Sequence, residues 1–374
     1  MSLKNSSGFS AYVFRWLASL DLVLLVALSL LIALGSILLF SASGENINMM
    51  NRHTVHLVLA TIVMLVATQL SSDLLRRWSF WIYVFGVAVL ILVLVQGTIG
   101  KGAQRWLEIG SLRFQPSEVM KLAVPMMVAS YLSKRNLPPS FKDVFVACML
   151  VLVPMMLIVK QPDLGTSLLV GCAGFFVIYF AGLPWKWLGV TVAIGAIAAP
   201  LVFYFGMHDY QRQRVLTLFD PAADRLGSGY HIIQSTIAIG SGGFYGKGWL
   251  NGDQSRLDFL PERHTDFIFA VFGEEFGLLG NAILFGLYLF IIWRGLYLSM
   301  KGHDTFARLL GGSLSLTFFI YLLVNTGMVS GILPVVGVPL PLISYGGTSL
   351  VTLMAAFGLL MGLRRRKRGY DQND

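Results

Sequence analysis

The chain has 374 residues, of which 56% are hydrophobic and only 13% charged, with a formal net charge of +9. Soluble domains carry charge at about a quarter of their positions, so this balance excludes an ordinary globular enzyme and points to a membrane protein. Two cysteines, Cys148 and Cys172, sit inside apolar runs, read as small hydrophobes, and exclude a disulfide framework or a thiolate metal centre.

A helix needs roughly 20 apolar residues to cross a hydrocarbon core of about 30 Å. The first such run, 20–41, follows Lys4 and Arg15. It is longer than the ~7–15 residues of a signal-peptide core, so an uncleaved anchor is predicted despite Ser41-Ala42-Ser43 behind it. Further runs lie near 54–70, 79–96, 117–133, 143–159, 165–181, 188–206, 268–294, 307–330 and 346–363. The expected fold is an all-α polytopic membrane protein with about ten transmembrane helices, forming one domain over residues 1–374.

Lys and Arg in short loops mark the cytoplasmic side. One side receives Lys4, Arg15, Arg76, Arg77, Lys134, Arg135, Lys142, Lys186, Arg294, Lys301, Arg308 and the run from Arg364 to Arg368. Both termini are therefore expected in the cytoplasm. On the other side, residues 97–116 form a polar loop. Residues 207–267, between spans seven and eight, form a loop far beyond the usual connection length. Residues 331–346 precede the tenth span and are apolar but carry three prolines. A regular helix is excluded there, so a re-entrant segment is predicted, buried against protein or lining a cavity.

The outer side holds more positive charge than topology alone requires: Lys101, Arg105, Arg113, Arg212, Arg214, Arg225, Lys247, Arg256 and Arg263. These cations suit an anionic ligand, with Arg fitted to bidentate phosphate contacts, and equally suit salt bridges to the acids of the long loop. In the fourth span Glu118 and Lys121 are three apart, hence on one helical face. Buried charge in a membrane is expensive, so the pair reads as facing a cavity; a helix-end pair with Lys121 snorkelling outward is the plainer alternative. Asp163, in the turn between spans five and six, is either a third acid at this level or an ordinary helix cap.

The densest polar stretch, Leu260 to Phe267, places Glu262, Arg263, His264 and Asp266 just before the eighth span. Asp266 can serve as a proton acceptor tuned by burial, or merely cap the following helix. Glu274 and Glu275 follow two turns later, and at least one must face protein rather than lipid. Glycines at 240, 242, 243, 246 and 248 allow tight turns or close ligand approach. No Walker or dinucleotide fingerprint accompanies them, so no organic cofactor and no nucleic-acid partner is expected.

Taken in order, several blocks resemble the SEDS family (shape, elongation, division and sporulation). They are Arg105-Trp106-Leu107, Phe114 to Lys121, Gln161 to Thr166, Phe219-Asp220-Pro221, Gly229 to Ser235, Ile237 to Gly248, Leu260 to Gly277 and Pro339 to Gly347. Trp249-Leu250, the Leu257 to Leu260 lead-in and the short N-terminal tail resemble the RodA-type elongation branch more than the FtsW-type division branch. The resemblance implies a peptidoglycan glycosyltransferase of the bacterial cytoplasmic (inner) membrane. It would polymerise lipid II at the outer face, releasing undecaprenyl pyrophosphate. It implies a class B penicillin-binding protein as partner, within the MreB-associated elongation complex. The family's essential acid falls on Asp266, its span-four charges on Glu118 and Lys121, and its turn acid on Asp163. Arg105, Arg212 and His264 join these as expected substrate-binding residues. A divalent cation, Mg²⁺ or Mn²⁺, bridging pyrophosphate to carboxylate is expected, with ligands that the sequence does not name. A lipid II flippase and a non-catalytic scaffold for a transpeptidase are the rival readings.

Overall fold

The computed structural model describes residues 20–100, 103–109, 112–207, 209–224, 227–256 and 262–364. Lys4, Arg15, Lys101, Arg225, the 257–261 lead-in and the basic tail after Arg364 lie outside the described residues.

Each expected apolar run holds a helix. In chain order these are α1 (Leu22–Ala42), α2 (Ile47–Ala67), α3 (Ser72–Gln96), α4 (Pro116–Leu132), α5 (Phe141–Lys160), α6 (Leu164–Phe180) and α7 (Trp185–Leu201). The long loop contributes α8 (Asp209–Phe219), α9 (Ser228–Ser241) and the single turn α10 (Asp253–Arg256). The bundle then resumes with α11 (Ile268–Met300), α12 (Thr305–Val329) and α13 (Gly347–Gly362). Six helices, α1, α2, α3, α5, α11 and α12, are long and apolar enough to cross a membrane by themselves.

Six of the helices begin where a short polar side chain satisfies a free amide of the first turn. Asp21, Asn46, Ser71, Ser140, Asp163 and Asp304 each accept a hydrogen bond from the backbone N–H three residues on. Apolar side chains such as Val26, Leu30, Val58, Phe85 and Trp293 stay exposed on the outside of the bundle, the face that lipid would solvate. Inside, one cluster joins α1, α11, α12 and α13, and a second joins α3 to α6 with the start of α12. α12 lies between them and is the most enclosed of the six long spans.

Three features position the site. First, the expected polar loop 97–116 is not wholly irregular, although the fold is helical as expected almost throughout. Thr98–Gly100, Ala103–Ile109 and Leu112–Phe114 form an antiparallel sheet, β1-β2-β3.

Second, residues 331–346 form no regular element, as their prolines require, yet Val338, Leu340, Leu342 and Ile343 are buried. A non-helical backbone at this depth needs partners for its polar groups. Asn325 of α12 provides one by donating to the Val338 carbonyl at 2.7 Å, and Arg214 of α8 another by donating to that of Val335 at 3.1 Å.

Third, the glycine run packs against protein rather than a ligand. The N–H groups of Lys247 and Gly248 donate to the carbonyls of Glu274 and Glu275, at 3.0 Å each. α11 kinks at Gly277, whose φ is 64°. A Cβ on Gly246 would lie 2.1 Å from the Glu275 carbonyl, so only glycine permits this approach.

At the other end of the bundle Arg294 and Arg364 converge on the buried carboxylate of Asp21, at 2.8 Å and 3.4 Å.

Candidate active site

At the end of the bundle opposite the Asp21 cluster lies a cavity of about 160 Å³. β2 contributes Arg105 and Trp106; Gln115, Glu118 and Lys121 come from the start of α4; Thr166 and Leu169 come from α6. Gly337, Val338 and Pro339 of the re-entrant segment close one wall, and Gly346, Thr348 and Ser349 at the start of α13 another.

The charges in this cavity are paired. Lys121 Nζ donates to Glu118 Oε1 at 2.6 Å and lies 5.0 Å from the Tyr321 ring centroid. Both residues of the pair are buried, at 6% and 5% exposure, which rules out the snorkelling geometry for Lys121. Glu118 Oε2 is buried without a hydrogen-bond partner. Arg105 Nη1 stands 3.4 Å from Asp163 Oδ2, and Gln115 donates to the same oxygen at 3.0 Å. Asp163 also caps α6, accepting from the Thr166 amide at 3.1 Å and its hydroxyl at 3.0 Å. The cap reading of Asp163 is realised, and the same carboxylate meets the cavity-lining Arg105 and Gln115.

Asp266 sits in the turn 262–267, half-buried. Phe267, not Asp266, occupies the N-cap of α11 and makes no capping bond, so a mere helix-capping role for Asp266 finds no support. The carbonyls of the turn are held by α12 and by the re-entrant segment. Asn325 Nδ2 donates to the Asp266 carbonyl at 2.8 Å, Ser344 Oγ to that of Thr265 at 2.6 Å, and the Tyr345 N–H to that of His264 at 2.9 Å. Glu262 and Leu342 hold φ values of 56° and 65°, unusual for residues with a side chain. Strain of that kind persists where surrounding contacts over-determine the backbone. The Asp266 carboxylate lies beside Gly337: a Cβ built there would stand 3.5 Å from Asp266 Oδ2. Gly337 lines the cavity together with Arg105, Glu118 and Lys121, so Asp266 stands next to the same space, while Asp163 touches its lining through Arg105 and Gln115.

Two expected residues are not brought to it. Arg212 donates to the carbonyls of Phe203, Tyr204 and Met207, closing the open C-terminal end that follows α7. His264 turns its ring toward Tyr345, 6.4 Å between centroids, and is not among the cavity-lining residues. Tyr345 in turn faces His53 and His56 of α2.

Residues that the sequence did not single out as site residues are Gln115, Thr166, Tyr321, Asn325, Gly337 and Ser349. The only available signal was an amide, hydroxyl or glycine inside an apolar run, which is common in membrane helices. Glu274 and Glu275 are both fully enclosed: Glu274 meets Lys247 at 2.8 Å, and Glu275 accepts from Ser41. Cys148 and Cys172 are free and only half-buried. A larger groove of purely apolar lining runs between α1 and α11, past Leu22, Val26, Leu30 and Phe290. It lies in the half of the bundle near Asp21, away from the charged cavity.

A family model described as "Cell cycle protein", for FtsW, RodA and SpoVE, matches residues 21–369. Over 349 residues the chain is 50% identical to the peptidoglycan glycosyltransferase MrdB of Escherichia coli (strain K12), covering 93% of this chain and 94% of that protein. It is 41% identical over 298 residues to MrdB of Helicobacter pylori, covering 77% and 76%. Among solved structures, one of a peptidoglycan synthase complex that coordinates polymerization and crosslinking contains a chain that superposes with a TM-score of 0.80 at 33% identity. The match covers 92% of this chain and 97% of that one. The rod shape determining protein RodA of Thermus thermophilus gives 0.70 at 29%, covering 92% and 96%. With its motifs, its fold and its relatives in agreement, the chain belongs to the FtsW/RodA/SpoVE family of cell cycle proteins, the SEDS family.

Proposed function

We propose that the chain's peptidoglycan glycosyltransferase activity is the polymerisation of lipid II, with Asp266 as the general base. The observation that carries this reading is the position of the Asp266 carboxylate, beside a wall of the cavity that also holds Arg105, Glu118 and Lys121. Chain growth joins the 4-hydroxyl of one N-acetylglucosamine to the anomeric carbon of an N-acetylmuramic acid carried on undecaprenyl pyrophosphate. The hydroxyl gives its proton to Asp266 as its oxygen bonds to that carbon, and the carbon–oxygen bond to the pyrophosphate breaks. One carboxylate suffices because pyrophosphate leaves without being protonated, unlike the alcohol released in glycoside hydrolysis. A single displacement inverts the anomeric centre from α to β.

The half-buried setting of Asp266 favours this role. Its backbone is held by Asn325 and its neighbours by Ser344 and Tyr345, so the turn arrives pre-positioned and little orientation entropy remains to be lost. Glu118, Lys121, Asp163 and Arg105 act on the substrate's charged and polar groups within the same cavity.

Among the described residues no three His, Cys, Asp or Glu side chains converge as a metal site. A Mg²⁺ or Mn²⁺ ion here would be held largely by phosphate oxygens and water, the manner in which Mg²⁺ is usually held. Such an ion would neutralise charge on the departing pyrophosphate.

In the cell this reading puts the cavity at the outer face of the cytoplasmic membrane, with both termini inside. The partner is a class B penicillin-binding transpeptidase of the MreB-associated elongation machinery. The relative solved within a synthase complex that couples polymerization to crosslinking supports that pairing.

The test is polymerisation of lipid II by the purified protein, with and without the transpeptidase, resolved as glycan strands on a gel. Strands should form with the parent and be lost with Asp266→Ala. Strand synthesis by Asp266→Ala at the parent's rate would sink the base assignment. Absence of strands from the parent, coupled with movement of labelled lipid II across sealed vesicles, would favour a flippase.

A further inference from the structure

The two cations that line the cavity are each engaged by a carboxylate, Lys121 by Glu118 and Arg105 by Asp163. The paired side chains therefore bring little net positive charge to bear on an anionic ligand. What remains is the start of α13, which enters the cavity wall with Gly346, Thr348 and Ser349. The first amides of any helix have no acceptor inside it, and the helix dipole adds about half a positive charge at that end. Gly346 is the N-cap and supplies no side-chain cap to those amides. Its backbone is extended, with φ at −173°, so its lack of a side chain is not a conformational necessity. A Cβ there would meet nothing closer than 3.9 Å. Ser or Asp would fit and would strengthen the helix, yet the position is bare and opens on the cavity.

A second observation points to a ligand. Glu118, nine-tenths buried, lines the same cavity and leaves Oε2 without a donor. A buried unpaired carboxylate oxygen is costly unless something entering the cavity donates to it. The pair of features describes a ligand with an anionic group for the helix start and an N–H or O–H donor for Glu118. A diphosphate-linked amino sugar carries both.

We infer that the N-terminal turn of α13, with the backbone amides of Gly347, Thr348 and Ser349, is the diphosphate-binding pole of the cavity, and that Glu118 Oε2 receives a donor from the attached sugar. Lys121 and Arg105 then hold the carboxylates in place rather than bind the diphosphate directly. The inference rests on the cavity being the site for a diphosphate-linked sugar.

Gly346→Asp and Gly346→Asn test it. Both side chains cap the helix in the same way, but only Asp adds negative charge at the proposed pole. Binding of farnesyl pyrophosphate to the full-length protein in detergent is measured by calorimetry, with farnesol to subtract partition of the chain. The parent should bind the pyrophosphate, Gly346→Asn should bind more weakly because its cap occupies one of these amides, and Gly346→Asp should lose at least about tenfold more than Gly346→Asn. Thermal unfolding of the two variants should match or exceed the parent. Equal affinities for Asp and Asn, or no preference of the parent for farnesyl pyrophosphate over farnesol, would overturn the inference. Asp266→Ala is included as a separate arm. It should bind as the parent does while making no strands, so a failed base assignment is told apart from a misplaced diphosphate pole.

Discussion

The proposed role of Asp266 needs open space at its carboxylate, and Gly337 is the residue beside it. Gly337 has φ +74°, and a Cβ there would stand 3.5 Å from Asp266 Oδ2, within ordinary contact. Gly337→Ala should therefore fold, with a strain cost of about 1–2 kcal/mol, and lose strand synthesis several-fold. Gly331→Ala is the control: its φ is +72°, but its Cβ would meet Ile232 instead. Comparable loss of thermal stability in both variants, with activity lost only at 337, is the expected outcome of unfolding curves and gel assays. Another test concerns His231, which stacks on Phe267 at 5.4 Å, one residue from Asp266. Burial lowers its pKa, while the carboxylates of Glu262 and Asp224 pull the other way and Arg214 adds to the lowering. The unfolded chain then binds the proton first, so stability falls as pH drops through the unfolded value of about 6.5, and nothing is lost above it. His231→Gln should lose less thermal stability than the parent between pH 7.5 and pH 5.5. At this scale the sequence revealed the charged residues, because charge inside an apolar chain stands out. It marked Arg212 as a cation suited to phosphate, and an arginine donating to carbonyls at a helix end, as Arg212 does, looks the same in sequence. It had no means of marking Gly337 or Asn325, whose importance arises only from what folds against them.

Among the elements, the re-entrant segment 331–346 and the turn 262–267 behave as one unit because α12 fastens both. Asn325 is completely buried, and its Nδ2 donates to the Asp266 and Val338 carbonyls together. Asn325→Leu keeps the volume and leaves two carbonyls without this donor, at about 1–3 kcal/mol for each one that finds no substitute. The expected result is a lower unfolding temperature and a fall in turnover larger than any change in apparent lipid II affinity, because the turn carrying the base loosens while the cavity walls stay. A drop in affinity with turnover unchanged would count against this coupling. The helices themselves were legible from hydrophobic run length, and the three prolines made the irregular segment legible too. The β1-β2-β3 sheet was not, since three short strands carry little alternation. The glycine run was seen but not understood. Its close approach serves the kink of α11 at Gly277, a contact between segments about thirty residues apart.

For the molecule as a whole, the Asp21 cluster fixes a relation that loop charges could only suggest. Asp21 precedes α1, Arg294 lies near the end of α11, and Arg364 follows α13; all three meet within 3.4 Å. The start of the first span and the ends of the eighth and tenth expected spans therefore lie at one face. An even number of crossings separates each from the start, as ten spans require. We propose that face as the cytoplasmic one, because the Lys and Arg of the short loops belong to it. The loop carrying Tyr245, fastened to the opposite end of α11, must then face outward. Single cysteines in a Cys148→Ala, Cys172→Ala background check this, because Tyr245 and Met300 are both exposed, at 78% and 69%. In protoplasts, a membrane-impermeant thiol reagent should modify Tyr245→Cys at once and Met300→Cys only after lysis. The reverse pattern would put the cavity, Asp266 included, on the cytoplasmic side, where no strand released from it could reach the wall.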